Sequence, residues 1–348
     1  MPKPTVLKIS KIGFPWATLD PFLFCVYHED AYPKGNAMLG PDSSLNGRSL
    51  GQDFAGKDGW RMYHGRTVPG FPAHPHRGFE TVTIMRSGYI DHADSLGAAA
   101  RFGRGDVQWL TAGHGIVHSE MFPLLRSSEP NPLELFQIWL NLPSRSKMAP
   151  PYFTMFWSED IPREVVTDSP GAVTEVNYIA GMPTSTRIAS APLPPPDSWA
   201  SDPAADLAIW TIRMSPGARW TVPAAATHQT RRTLYFFKGE ALAMAGQAIP
   251  AQSAVEVEAG HPLELVNGAV PSEVLMLQGR PIGEPVAQHG PFVMNTEPEL
   301  RQAYADYRRT QFGGWPWPDE APVHGADRGR FAQHADGRLE SRTDPRLP

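Results

Sequence analysis

The chain has 348 residues and a mass of 38.3 kDa, a length that favours two domains of roughly 150 residues each. Hydrophobic residues make up 41% of the chain, charged residues make up 19%, and the mean hydropathy is −0.33, so the composition excludes a disordered protein. A net charge of −5 and a pI of about 6.2 exclude a basic protein that binds nucleic-acid phosphates directly.

The single cysteine, Cys25, cannot form an intrachain disulfide, which predicts a reducing compartment and a cytoplasmic protein. Because it follows Leu23 and Phe24, we expect it to be a small buried hydrophobic residue and not a nucleophile. Lysines interrupt the apolar residues at the N-terminus, and no stretch approaches the roughly 18 apolar residues of a membrane span. We therefore expect no signal peptide and no membrane contact.

The chain contains 31 glycines and 37 prolines, a combination that favours many short strands joined by turns. Short β-branched and aromatic runs that end in Gly or Pro turns predict strands. In chain order these runs are 80–85, 207–214, 234–237, 253–258 and 274–277. A Pro-rich stretch before the second run, with prolines at 183, 192, 194, 195, 196 and 203, predicts an extended linker or a long surface loop.

One helix is predicted over residues 297–311. Leu300, Ala303, Tyr304 and Tyr307 repeat at helical spacing. Thr296 and Glu299 would form a capping box at the start of this helix. The aromatic tail at 312–318 is expected to pack back on the β structure, with a partner site as the alternative.

A weak internal repeat supports two copies of one β unit. A glycine at 88 is followed by a second at 113, 25 residues later, and a similar pair at 239 and 260 is 21 residues apart. Residues around these glycines are similar in the two copies.

Five of the 12 histidines fall between residues 74 and 118. His74 and His76 are two residues apart, a spacing that directs both rings to one face of a strand, and His118 and Glu120 repeat it. An isolated pair of this kind is usually an ordinary surface or core feature. Two matched pairs instead predict a metal site with three imidazoles and one carboxylate, which leaves two coordination positions open on an ion that prefers six.

Several long stretches resemble the pirin family of bicupin proteins, over about residues 12–340. The resemblance is carried by HPHRGFETVT at 74–83, DHADSLG at 91–97, GDVQWLTAGHGIVHSEM at 105–121, LFQIWLNLP at 135–143, KMAPP at 147–151 and GPFVMNT at 290–296. It implies an all-β fold of two tandem cupin barrels, which are double-stranded β-helices or jelly rolls, with a short C-terminal helix.

The resemblance also implies domains and a metal. We expect an N-terminal metal-binding cupin at 1–145, a Pro-rich connecting region at 146–205, a C-terminal cupin without metal ligands at 206–292, and a helix and tail at 293–348. The implied ligands are His74, His76, His118 and Glu120, and the expected ion is Fe(II), although Mn, Co, Ni, Cu or Zn would suit the same residues. Glu80 is expected beside the metal but not bound to it.

When the second copy is aligned on the first by its glycines, Ala225 and Thr227 replace the first histidine pair. Leu265 and Asn267 replace His118 and Glu120. The second barrel is therefore expected to be a packing partner or a recognition surface. In the first copy, His92 and Asp94 are interpreted as part of a polar loop, with a position at the mouth of the metal site as the alternative.

The resemblance implies an enzyme, a quercetin (flavonol) 2,3-dioxygenase that opens the flavonol ring with dioxygen and releases carbon monoxide. Glu120 would take the proton of the flavonol hydroxyl. The alternative is a non-catalytic, metal-dependent regulator that binds a transcription factor or a metabolic enzyme. A different cupin oxygenase or isomerase reaction at the same site also stays open.

Overall fold

The computed structural model describes residues 5–183 and 190–343, and most of its regular structure is β-strand. The first twelve strands are β1 Val6–Lys11, β2 Phe22–Tyr32, β3 Gly70–His76, β4 Phe79–Ser87, β5 Tyr89–Asp94, β6 Ala99–Gly103, β7 Val107–Thr111, β8 Ile116–Met121, β9 Asn131–Asn141, β10 Tyr152–Phe156, β11 Arg163–Thr167 and β12 Val173–Ala180. The other twelve are β13 Ala208–Met214, β14 Arg219–Val222, β15 Arg231–Lys238, β16 Leu242–Met244, β17 Gln247–Ile249, β18 Ser253–Glu258, β19 Leu263–Asn267, β20 Ser272–Gly279, β21 Ala287–His289, β22 Phe292–Met294, β23 Arg330–Gln333 and β24 Leu339–Arg342.

The helical part of the described chain is small. It consists of one α-helix, α1, at Glu297–Thr310, and of short 3-10 turns at Lys57–Gly59, Ser144–Ser146, Trp199–Ser201, Pro203–Ala205 and Gln311–Gly313. The prediction of an all-β fold with a short C-terminal helix is therefore confirmed. Each of the five predicted strand runs coincides with an observed strand, β4, β13, β15, β18 or β20, to within a few residues.

The chain forms two compact units, and each contains segments that are distant in sequence. One unit comprises the described parts of Met1–Val26, Ile138–Pro143 and Glu159–Gly283. The other comprises Tyr27–Gln137, Ser144–Ser158 and the described part of Glu284–Pro348. We call these the C-cupin unit and the histidine unit. The predicted boundaries at 145, 205 and 292 stay a prediction about domains.

The histidine unit is built on two antiparallel sheets. One has the strand order β10-β7-β4-β9-β2 and the other has the order β24-β23-β6-β5-β8-β3. Side chains from both sheets, including Phe102, Leu110, Leu135 and Phe153, share one buried apolar core. Alternate residues of these strands face this interior, so the strand period decides which polar side chains are also directed inward.

The C-cupin unit repeats this architecture with its own core. Its sheets have the orders β1-β18-β15-β20-β13-β12-β11 and β14-β19-β16-β17. Trp210, Leu234, Phe236 and Leu265 lie in its apolar interior. Cys25 is fully buried in this unit, and burial raises the pKa of its thiol, which agrees with the prediction of an unreactive residue.

Helix α1 begins as predicted. The Thr296 hydroxyl accepts a hydrogen bond from the Glu299 backbone N–H, and the Glu299 carboxylate accepts one from the Thr296 backbone N–H at 2.8 Å. Leu300 and Ala303 on one face are buried. Among the described residues, no helix has the length and apolar character needed to cross a lipid bilayer.

The predicted connecting region and the aromatic tail differ in structure. Residues 152–180, inside the predicted connecting region, form β10, β11 and β12, whereas 190–205 contain two 3-10 turns; residues 184–189 lie outside the described chain. In the aromatic tail, Phe312 is buried and the Trp317 indole N–H donates to the Asp94 carbonyl oxygen at 2.8 Å.

A buried arginine joins the last part of the histidine unit to its sheet. The Arg101 guanidinium donates to both carboxylate oxygens of Asp91, each at 2.7 Å, and to the carbonyl oxygens of His324, Gly325 and Arg328. All five N–H donors of this side chain therefore have an acceptor. The Asp91 carboxylate also accepts from the His324 backbone N–H.

We expect Arg101→Met to lower the free energy of unfolding by about 3 kcal/mol, because it leaves the Asp91 charge buried without its partner. Chemical denaturation measures this. Arg301→Met, on the exposed face of α1, is the control and should change stability by less than about 0.5 kcal/mol. A double variant, Arg101→Met with Asp91→Leu, should recover part of the loss; equal stability of Arg101→Met and the native protein would contradict the prediction.

Candidate metal centre

Strands β3 and β8 bring the predicted ligand residues together. They pair antiparallel with His74 directly opposite His118 and His76 opposite Ile116. Residues directly opposite each other share one face of a sheet, and so do residues two apart on one strand. The three histidines consequently face the same interior region. After His76 the chain reverses into β4 at Gly78, where φ is +84° and a Cβ atom would lie 1.9 Å from the Val293 carbonyl oxygen, so this turn requires glycine.

The three rings form a compact group. Ring centroids are 4.8 Å apart for His74 and His76, 4.5 Å for His74 and His118, and 5.0 Å for His76 and His118. One ring nitrogen from each residue lies within 4.8 Å of the other two. This is the one group of three or more histidine, cysteine or acidic side chains with ligand spacing among the described residues.

The hydrogen bonds and charges of the group fit a bound cation. His74 Nδ1 lies 2.8 Å from the Pro72 carbonyl oxygen, which can only accept, so Nδ1 carries the proton and a neutral His74 presents a lone pair at Nε2. That Nε2 lies 3.1 Å from His118 Nε2. Burial lowers the pKa of His74 to about 4 and holds the pKa of His76 and His118 well below the usual value, with repulsion between the imidazolium forms as a further cause. All three rings are therefore neutral near pH 7, the form that binds metal ions.

The Glu120 carboxylate lies next to this group. Its Oε2 is 3.9 Å from His118 Nε2 and accepts a hydrogen bond from the Gln137 amide at 2.7 Å, and its Oε1 accepts one from the Thr83 hydroxyl at 3.3 Å. Burial raises the pKa of Glu120, and the bonds from Gln137 and Thr83 oppose that rise. Sequence reasoning did not find Thr83 or Gln137. Gln137 lies in a stretch that carries the family resemblance, but no spacing rule directs it to the carboxylate.

His92 and Asp94 are strand residues. Both lie on β5 and are buried, with His92 opposite Glu120 and Asp94 opposite His118. His92 Nε2 is 3.1 Å from an Asp94 carboxylate oxygen, and the His92 and His118 ring centroids are 5.5 Å apart. The polar-loop prediction is therefore wrong for His92. It is right for the turn after Asp94, whose other oxygen accepts the backbone N–H of Leu96 at 2.9 Å.

The expectation that Glu80 lies beside the metal is wrong, because this residue faces away from the proposed ligands. It lies on β4 in regular register, where it is three residues from Thr83 and thus on the opposite face. Its Oε1 accepts a hydrogen bond from the Thr111 hydroxyl at 2.6 Å. In the second copy, the side-chain amide of Asn267, aligned with Glu120, donates to the carbonyl oxygens of Met214, Ser215 and Val270.

Elsewhere in this unit, His28 provides a pH-sensitive group. Its Nδ1 lies 2.8 Å from the Tyr63 hydroxyl, which donates to Asp30 at 2.6 Å, so Nδ1 is the donor to Tyr63. Burial, with the positive charge of Arg61 as the smaller cause, lowers the pKa of His28 to about 4. His28 in the unfolded chain therefore binds a proton near pH 6.5, whereas in the folded protein it binds this proton only near pH 4.

This linkage predicts a loss of stability in acid that His28→Asn should reduce. The contribution of neutral His28 to the free energy of unfolding is complete above pH 6.5. It decreases by up to about 3 kcal/mol as the pH drops toward 4. An asparagine amide can still donate to Tyr63 but does not titrate. The free energy of unfolding should therefore decrease less between pH 7.5 and pH 4.5 in the variant than in the native protein. An equal decrease in both would refute the prediction.

Comparison with known proteins gives consistent matches. The chain matches two family models, described as pirin over residues 14–140 and as pirin C-terminal cupin domain over residues 209–313. A pirin-like protein of Caulobacter vibrioides is 37% identical over 243 residues, which cover 70% of this chain and 80% of that protein. A Pseudomonas aeruginosa protein named "Putative quercetin 2,3-dioxygenase" is 34% identical over 245 residues, covering 70% of this chain and 79% of that protein.

A solved structure shows the same fold. The crystal structure of quercetin 2,3-dioxygenase from Acinetobacter baumannii superposes with a TM-score of 0.68 at 24% sequence identity. The match covers 89% of this chain and 98% of that chain. The similarity therefore extends across both units and supports the tandem cupin fold.

Proposed function

This chain belongs to the pirin family, and on that premise we propose that it is a metal-dependent flavonol 2,3-dioxygenase acting on quercetin or a close analogue. The proposal depends on one observation above all, the group of three neutral imidazoles, two buried and one half-buried, with ring nitrogens within 4.8 Å of one another. The name of the Pseudomonas aeruginosa relative supports the choice of substrate.

We assign His74, His76 and His118 as ligands of the ion, with Glu120 as the fourth. Fe(II) is the proposed ion, since imidazole with carboxylate suits it, and Mn, Co, Ni, Cu and Zn are the alternatives that the same donors accept. When bound with open positions, such an ion supplies Lewis-acid polarisation of the flavonol oxygens and a path for electrons to dioxygen.

The side chains around the ion would orient the reacting groups. The Gln137 amide and the Thr83 hydroxyl each hold one oxygen of Glu120, so the direction of its carboxylate is set before substrate arrives. A carboxylate kept in an apolar interior is a stronger base than in water, because burial disfavours its charged form. Glu120 would therefore accept the proton of the flavonol 3-hydroxyl.

The direct test is turnover by protein loaded with a single metal. Iron-loaded protein should consume dioxygen and release carbon monoxide with quercetin, but not with luteolin, which has the same skeleton without the 3-hydroxyl. The five alternative metals are tested in parallel. Absence of carbon monoxide with every metal would overturn the proposal, and the regulator hypothesis, with metal-dependent binding of a protein, would then explain the site better.

A further inference from the structure

The C-cupin unit contains a cavity that the metal chemistry does not use. Its volume is about 320 Å³, and Ala225, Trp210, Arg232 and Gln278 are among the residues that line it. The size of the cavity is within the usual range for small-molecule sites.

A buried arginine is among the residues that line this cavity. Arg232 is on β15, on the same face as Leu234 and Phe236, which belong to the apolar core. Its side chain is 1% exposed. The Nε and Nη2 groups both donate to the Gln278 amide oxygen, Nε at 2.8 Å, whereas Nη1 is buried with no hydrogen-bond acceptor among the described residues.

The carboxylate near Arg232 already accepts hydrogen bonds from other groups. Asp206 is the carboxylate whose charge acts on Arg232, and its Oδ1 accepts a hydrogen bond from the Gln278 amide nitrogen at 3.3 Å. Its Oδ2 accepts from the Ala226 backbone N–H at 2.9 Å and from the Thr230 hydroxyl at 2.5 Å. Among the described residues, Arg232 Nη1 therefore lacks an acceptor, whereas both carboxylate oxygens of Asp206 have donors.

An unpaired charged donor in a protein interior carries a large desolvation cost, which an anionic acceptor would offset. Burial accordingly lowers the pKa of Arg232 to about 10. A guanidinium is the side chain best suited to a planar carboxylate. The indole N–H of Trp210 already donates to the carbonyl oxygens of Ala180 and Gly181, so this residue offers the cavity an apolar surface.

We infer that the cavity of the C-cupin unit binds a small organic carboxylate, with its carboxylate on Arg232 and its apolar body against Trp210. The ligand chemistry is an anion joined to a compact apolar or aromatic group. The second barrel is then a ligand-binding module that recognises an acid, in addition to the metal site of the first. This inference is independent of the proposed dioxygenase activity.

A matched pair of probes tests the charge requirement on the full chain. 4-Bromobenzoate and 4-bromobenzamide have nearly the same shape, but only the first is an anion. Isothermal titration should show 4-bromobenzoate binding with one site per chain and at least tenfold more tightly than the amide. Equal affinities, or no binding of the carboxylate, would overturn the inference.

Two substitutions on the same strand test the residue. Arg232→Met removes the cation and keeps most of the volume, and it should weaken 4-bromobenzoate binding at least tenfold. Arg231→Met changes the exposed neighbour on the opposite face and should leave the affinity unchanged. The inference fails if both variants bind like the native protein or if both lose binding equally.

Native protein alone gives an independent answer if Arg232→Met does not fold. In crystals grown with 4-bromobenzoate, the anomalous signal of bromine should lie in the cavity beside Trp210, with the carboxylate on Arg232. Bromine found only at other places would contradict the inference. The His118→Ala variant, which disables the proposed metal site, should bind 4-bromobenzoate as the native protein does.

Discussion

His76→Ala and His118→Ala are each expected to weaken metal binding by about a thousandfold or more, while the protein stays folded. Loss of a group that only orients a ligand typically costs 10- to 100-fold in metal affinity, so loss of a ligand itself should cost more. The Nε2 atom of His118 lies 3.1 Å from His74 Nε2 and 3.9 Å from a Glu120 carboxylate oxygen. Metal analysis after gel filtration, followed by a competition titration, measures the effect.

His114→Ala is the matched control for these variants. His114 is exposed and stands four residues before His118, in the turn that leads into β8. Its loss should leave the metal content unchanged. Thermal unfolding of the metal-free proteins shows whether each variant keeps its fold. Native metal content in folded His118→Ala would refute the ligand assignment.

Glu120→Gln is expected to lower turnover of quercetin by about 10²- to 10⁴-fold, the usual contribution of a positioned general base. Glutamine keeps the shape of the side chain but cannot take the hydroxyl proton. The three histidines should still bind metal, more weakly than with the carboxylate present. Turnover is therefore measured at saturating metal, and the metal content of the same sample is determined.

Glu80→Gln provides the comparison for Glu120→Gln. Glu80 is also a buried glutamate of the histidine unit, but it lies on the face of β4 opposite to Thr83 and bonds to Thr111. Its substitution should leave turnover per bound metal within about threefold of native, since it does not touch the reacting groups. Similar losses in Glu80→Gln and Glu120→Gln would show that the effect on turnover is not specific to the site carboxylate.

The residues brought together by strand periodicity were the most predictable part of the site. The spacing of His74 and His76 places both rings on one face of any strand, and the same spacing identified their partners, His118 and Glu120. The residues that hydrogen-bond to Glu120 were not predictable in this way. Thr83 and Gln137 reach Glu120 from β4 and β9, and their positions depend on how distant strands pair in the barrel.

His92 shows why local composition misleads at such sites. Its stretch is polar, which usually indicates a loop, yet the structure buries it on β5 opposite Glu120. Polar residues in a barrel interior are stable there because they bond to each other, as His92 does with Asp94. The spacing of residues in the sequence does not predict that pairing. The pairing of Arg232 with Gln278 is likewise not predictable from spacing, because the two residues are 46 positions apart.

The pairing of the chain ends was also beyond prediction. Strand β1 pairs with β18, and β23 pairs with β6, in each case across more than 200 residues. Such contacts depend on which sheet edges remain open after the barrels form. Periodicity identified the individual strands, but it contained no information about these edges.

The most direct test of this account is an anomalous diffraction measurement on crystals of freshly purified, iron-loaded protein. We predict one strong peak in the histidine unit, about 2.0–2.2 Å from a ring nitrogen of each of His74, His76 and His118 and from a Glu120 oxygen. A peak elsewhere, or density at this position that lacks any of the three histidines, would contradict the account.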